Sequence, residues 1–329
     1  MRRRLRIAAH AFVIVLLTSV AGYAANPPKA AAASDGTLAP WQPAAGHTQI
    51  RLWPGNPPPH TPAVMKGVTA KGELTGHGSK MVAGRYWTWA GQVTQPTITV
   101  YSPKGKNSGA AVVVFPGGGY EVVAIDLEGT EPCEWLTAHG ITCVLLKYRV
   151  PCAITGPYRE CASALEDAQR AVGLVRFRAA EWHIDPNKIG VLGFSAGGHM
   201  VVAISTHFEK RAYTAVDEAD KVSCRPDFAM ALYPGHIAVP REKFVLNPDL
   251  HVTSRTPPTF LAQAYDDPVD PVENSLVYFA ALRKAGVPGE LHVYAKGGHA
   301  FGLRPTASAA TQWPKLAEDW LKTIGMIAQ

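Results

Sequence analysis

A chain of 329 residues with 47% hydrophobic and 18% charged content can bury a sizeable core, which excludes a disordered or fibrous protein. Its formal charge of +6 falls to +2 when residues 1–24, with four arginines and no acid, are set aside, so the basic balance gives no case for nucleic acid. Five cysteines without a CxxC pair disfavour a thiolate zinc centre or a redox motif.

In chain order, MRRRLRIAAHAFVIVLLTSVAGYA opens with Arg2, Arg3, Arg4 and Arg6, then an apolar run from Ala11 to Leu17, then small residues. That is the layout of a signal peptide over residues 1–24, with Gly22 and Ala24 suiting a small-x-small cleavage site. The run is short for a spanning anchor. The expected destination is the periplasm or the exterior, with no membrane attachment after cleavage. Residues 25–47 are Ala/Pro-rich and read as a flexible leader. The rest, 48–329, is expected to form one catalytic domain. Its first part, to residue 96, is rich in Pro, Gly and Trp and predicts extended or irregular structure against a sheet edge. There Trp53, Trp87 and Trp89 could line a sugar site or simply pack.

From residue 97 short β-branched runs recur at 97–101, 110–115, 141–148, 188–194, 228–233, 259–265 and 289–295. Several are apolar throughout, which suits strands buried on both faces of a parallel sheet. Between them lie helical stripes. Leu165, Ala168, Val172, Val175, Ala179 and Trp182 step by three and four. The stretch VENSLVYFAALRKAG has Gly286 as its stop, and Trp313, Leu316, Trp320 and Ile324 form a last amphipathic helix. The alternation predicts an α/β protein with a mostly parallel central sheet and helices on both faces. Cys152 and Cys161 flank a short loop and are the favoured disulfide. Cys143 reads as a buried thiol, and Cys133 with Cys224 is left as a possible second pair.

The chemistry-bearing residues fall where such strands end. Gly193-Phe194-Ser195-Ala196-Gly197 fits G-x-S-x-G between a strand-like run and an apolar helix start, the setting of a nucleophile elbow. A serine hydroxyl needs a base and an orienting acid. Asp267, in AYDDPVDPVENS, and His299, in AKGGHAFG, follow in that order; Asp266 and Asp270 are lesser candidates for the acid. Gly118 and Gly119, in PGGGY, with Ala196, are candidate backbone donors for an oxyanion. A phosphate loop is a weak rival, because GGGY lacks the GxGxxG spacing and a following Lys-Ser/Thr. Tyr120, Glu128 and His236 are candidate substrate contacts, with Glu128 alternatively ordering the oxyanion loop. His199, His236 and His299 lack the paired carboxylate that would complete a metal site, so neither metal nor cofactor is expected.

PGGGY, Glu128-Gly129, LLKYRVP, ALEDAQRAV, GFSAGGHM, SCRPDFA, the DDPV loop and GGHAFG together resemble the α/β-hydrolase superfamily. Within it they are most similar to secreted bacterial esterases grouped with acetylxylan and feruloyl esterases. The likeness runs over residues 48–325. It implies an α/β-hydrolase fold, Ser195, Asp267 and His299 as nucleophile, acid and base, and an acylated carbohydrate such as xylan as substrate. Pro116 departs from the His that opens the corresponding lipase motif. A feruloyl esterase or a peptidase of the same fold are the alternatives among enzymes; an inactive carbohydrate-binding homologue is the alternative of another class. Oligomeric state is not read from the sequence.

Overall fold

In a computed structural model the chain is described over residues 39–59, 65, 72–153, 161–239 and 242–328. The signal segment and most of the leader lie outside these residues. Eleven strands and five α-helices are present among them. β1 (Gln49–Arg51), β4 (Thr97–Tyr101), β5 (Ala111–Phe115), β7 (Thr142–Lys147), β8 (Ile189–Phe194), β9 (Phe228–Leu232), β10 (Thr259–Ala264) and β11 (Gly289–Tyr294) form one sheet, ordered β1-β4-β7-β5-β8-β9-β10-β11. β4 is antiparallel to both β1 and β7, and every pair from β7 to β11 is parallel.

Every residue of β5, β7, β8, β9 and β10 is buried, as their mostly apolar runs predict for strands covered on both faces. α1 (Glu131–Ala138) and α5 (Trp313–Thr323) meet through Trp135 and Trp313, whose rings lie 5.5 Å apart. α2 (Ala162–Phe177) packs beside α3 (Ala196–Thr206), and α4 (Glu273–Lys284) lies along β10 and β11. This is the expected α/β-hydrolase architecture.

Three expectations are corrected. α2 ends at Phe177, because Arg178 leaves helical geometry at ψ 15°; Ala179 and Trp182 follow in turns yet still pack on the core. The stretch before residue 97 is more ordered than its composition predicts. β2 (Leu74–His77), β3 (Thr88–Gly91) and β6 (Val122–Val123) make a small antiparallel sheet around Trp89. Trp53 and Trp89 are buried, Trp53 with its Nε1 donating to Asp167, so neither is a sugar platform. Finally, Cys143 is no free thiol. It is bonded to Cys133, while Cys224 is the buried free cysteine and Cys152–Cys161 pair as expected. α1 lies directly on β7, which brings the two Cα atoms of Cys133 and Cys143 to 5.1 Å, within bridging range.

Buried charge ties the front segment down. Arg149 lies against Asp167 and Glu166 and donates to the Pro58 carbonyl; Arg170 donates to the Leu52 carbonyl and pairs with Asp217 and Asp220. A buried guanidinium is tolerated only when paired in this way. α2 thereby serves as an anchor for residues 52–58 as well as a core element.

Candidate active site

β8 runs straight into α3, and the residue at the junction is Ser195. Its backbone sits at φ 52°, ψ −118°, a strained conformation for a side chain with a Cβ. Close approach explains the glycines around it. A Cβ on Gly193 would strike the Gly197 carbonyl, and one on Gly197 would strike the carbonyl of Phe115 at the end of β5. Only with both positions bare can the helix start this close to the sheet and push Oγ outward.

Ser195 Oγ lies 2.9 Å from His299 Nε2, and His299 Nδ1 lies 2.8 Å from Asp267 Oδ2. A carboxylate only accepts, so Nδ1 carries the proton and Nε2 faces the hydroxyl as acceptor in the neutral ring. Asp267 is aimed by its own loop: its Oδ1 accepts the N–H groups of Val269 and Asp270, and Gln263 Nε2 donates to Oδ2. Asp266 has a different place. It is not on the imidazole; its Oδ1 accepts the N–H groups of Gly297 and Gly298, clamping the loop that carries His299. Burial pulls the His299 pKa down, but the Asp267 hydrogen bond and the charges of Asp270, Asp267 and Glu128 outweigh it, and the net shift is upward.

The glycine strap after β5 closes over the serine. A Cβ on Gly117 would stand 3.0 Å from that of Ser195 and 2.7 Å from the Phe194 carbonyl. Gly118, Gly119 and Tyr120 all have positive φ, at 121°, 64° and 61°, turning the strap so that Glu121 and Val122 donate back to the Gly118 carbonyl. Among the described residues neither the Gly118 nor the Gly119 N–H enters a backbone pair. The Ala196 N–H opens α3, at the positive end of that helix dipole.

Of the three candidate substrate contacts, two lie behind the lining. Glu128 is buried in a π-helical turn, Asp126–Thr130; Oε2 accepts the Gly117 N–H at 2.8 Å and Oε1 accepts the Tyr233 hydroxyl at 2.9 Å. Burial raises its pKa, against the lowering effect of the Tyr233 hydrogen bond, the His299 charge and the Gly117 N–H. Tyr233 also accepts the Gly302 N–H, so one carboxylate and one phenol join the glycine strap to the histidine loop. Tyr120 is 1% exposed, and its hydroxyl lies 2.7 Å from His199 Nδ1. Burial pushes the His199 pKa down to about 3, so this ring is neutral and accepts from Tyr120. Neither side chain is free to touch substrate. His236 is half-buried, packed edge-on against His199 at 5.7 Å.

A second acid of the same loop, weighed from the sequence only as a rival to Asp267, reaches the serine. Asp270 Oδ2 lies 3.3 Å from Ser195 Oγ and 3.8 Å from His299 Nε2. The signal was the third acid of DDPVD, but its distance from the serine follows from how the loop folds, which spacing does not reveal.

Residues 165–324 match the prolyl oligopeptidase family. An acetylxylan esterase of Xylanibacter ruminicola is 31% identical over 227 residues, 66% of this chain and 46% of that protein. Endo-1,4-beta-xylanase B of Butyrivibrio fibrisolvens is 31% identical over 205 residues, 57% of this chain and 32% of its own. The chain thus spans less than half the length of either relative. Among solved structures, the acetyl ester-xyloside bifunctional hydrolase of Caldicellulosiruptor lactoaceticus is 33% identical with a TM-score of 0.65, over 85% of this chain and 97% of that one.

Proposed function

Because the chain belongs to the α/β-hydrolase superfamily, in its acetylxylan-esterase-like branch, we propose that it is a serine carboxylic ester hydrolase removing acetyl groups from xylan or a related carbohydrate. The observation that carries this reading is the unbroken chain of contacts from Ser195 Oγ through His299 to Asp267, at 2.9 and 2.8 Å. In the proposed cycle His299 Nε2 takes the Ser195 proton as Oγ attacks the ester carbonyl. The tetrahedral oxyanion is held by the N–H groups of Gly118, Gly119 and Ala196, each such donor contributing about 3 kcal/mol in the transition state. His299 then returns the proton to the departing sugar oxygen, leaving an acyl group on Ser195. Water, deprotonated by the same Nε2, releases the acid. Asp267 holds the tautomer and stabilises the imidazolium throughout.

The substrate class rests on the relatives, which include an acetylxylan esterase, a xylanase and an acetyl ester-xyloside hydrolase. The match to the prolyl oligopeptidase family supports a second reading, peptide hydrolysis. Export fits the same picture: residues 1–24 act as the signal, residues 48–329 as the catalytic domain, and two disulfides suit an oxidising compartment.

The test is acetate release from acetylated xylan beside p-nitrophenyl acetate and peptide amides. Wild type should cleave both esters, and Ser195→Ala should lose about 10⁴-fold or more in kcat. Full activity in that variant would overturn the proposal; preference for the amides would favour the peptidase.

A further inference from the structure

Catalysis as proposed runs through Ser195, His299 and Asp267, with Asp270 standing beside the first two. We infer that Asp270 is a specificity residue: its carboxylate accepts a hydrogen bond from the sugar hydroxyl next to the acylated position. The inference rests on the esterase reading and adds a requirement to it, that the leaving alcohol carry a neighbouring hydroxyl.

When the acyl–serine bond forms, the alcohol oxygen must lie within hydrogen-bond reach of His299 Nε2 to receive the proton. Asp270 Oδ2, 3.8 Å from that nitrogen and 3.3 Å from Ser195 Oγ, borders the space the alcohol has to enter. The oxyanion donors belong to other segments, the glycine strap and the start of α3. A carboxylate beside the leaving oxygen penalises any group departing as an anion. It favours an alcohol that brings its own donor, and a vicinal diol does so one hydrogen-bond length away.

Asp270 is also fixed in place. Its N–H donates to Asp267 Oδ1 at 3.0 Å, and its carbonyl accepts from Gln263 Nε2 at 2.8 Å. Pro271 follows, and Oδ1 lies so near Gly235 that a Cβ there would come within 2.5 Å. The residues that orient Asp267 therefore orient Asp270 too. Its side chain keeps 11% exposure.

The experiment compares kcat/KM of wild type and Asp270→Asn, each on its pH plateau. The substrates are a methyl xylopyranoside monoacetate, its analogue with the neighbouring hydroxyl replaced by hydrogen, and p-nitrophenyl acetate. Wild type should prefer the hydroxylated ester over its deoxy analogue by about 10- to 100-fold, the range for a hydrogen bond to a charged acceptor. Asp270→Asn should erase most of that preference. Fluorophosphonate labelling of Ser195 in the variant checks that the nucleophile is intact, and Asp270→Ala should repeat the effect. An unchanged hydroxyl-to-deoxy ratio overturns the inference, as does loss by one common factor on all three esters, the outcome of a role exercised through His299 alone. A wild type inactive on every ester would instead overturn the esterase reading, and this inference with it.

Discussion

His299 is held by competing influences, and their balance sets a measurable pH. Burial opposes its charge, yet Asp267 and Asp270 win, so the ring holds its proton more tightly than a free histidine. In its proposed role as general base it must be deprotonated, so the acid limb of kcat/KM should lie above the ordinary value of about 6.5. Asp267→Asn removes both a hydrogen bond and a charge that raise this pKa. That variant should lose about 10⁴-fold in kcat, and NMR titration of the ring should find its pKa lowered. The sign for stability follows from the same shift. A raised folded pKa gives a stabilising contribution that is fully present below about pH 6.5 and lost as the pH rises through the folded value. His199 behaves in the opposite way. With a pKa near 3 it stays neutral in the fold while an unfolded histidine charges, so stability declines as pH falls below about 6.5 toward that value. Tyr120→Phe would leave the buried Nδ1 of His199 without its donor and should cost about 1–3 kcal/mol in denaturant melts.

Two elements meet at the serine, the start of α3 and the glycine strap, and each is positioned by what it lacks or what holds it. Gly197→Ala forces a methyl into the Phe115 carbonyl, which neither the strand nor the helix can escape without separating. The expected cost is about 3 kcal/mol, read as a lower denaturation midpoint, with activity falling alongside. The strap has an external brace. Glu128 grips the Gly117 N–H, and the Tyr148 hydroxyl donates to the Pro116 carbonyl at 2.7 Å. Glu128→Ala should release Gly117 and let Gly118 and Gly119 drift from the place proposed for the oxyanion. A drop of about 10²-fold in kcat, with KM little altered, would mark the loss of a transition-state contact; a change in KM alone would contradict this role.

For the whole molecule, one sheet brings every part of the site to the C-terminal ends of β5, β8, β10 and β11, while one disulfide ties α1 to β7 and the other joins the segments between β7 and α2. Each bridge closes a loop of about ten residues, so removing either should cost about 3 kcal/mol and lower Tm by about 5 °C. Thermal melts of Cys133→Ala/Cys143→Ala under non-reducing conditions check this. Among the described residues no helix is long and apolar enough to cross a membrane.

The seven strand-like runs from residue 97 onward and the order serine, acid, histidine were legible in the chain because they rest on local rules. A buried parallel strand must be apolar along its length, and a nucleophile at a tight strand–helix turn must sit among glycines. The packing of α1 on β7, and hence the partner of Cys143, was not legible; nor was the small sheet around Trp89, whose strands are only two to four residues long. The same holds for the three acids of DDPVD. Spacing nominated all three, but only the folded loop sends Asp266 to the glycines, Asp267 to the imidazole and Asp270 to the serine hydroxyl. Local propensity and patterning belong to the sequence, whereas which carboxylate meets which donor depends on contacts between segments that meet only when the sheet is assembled.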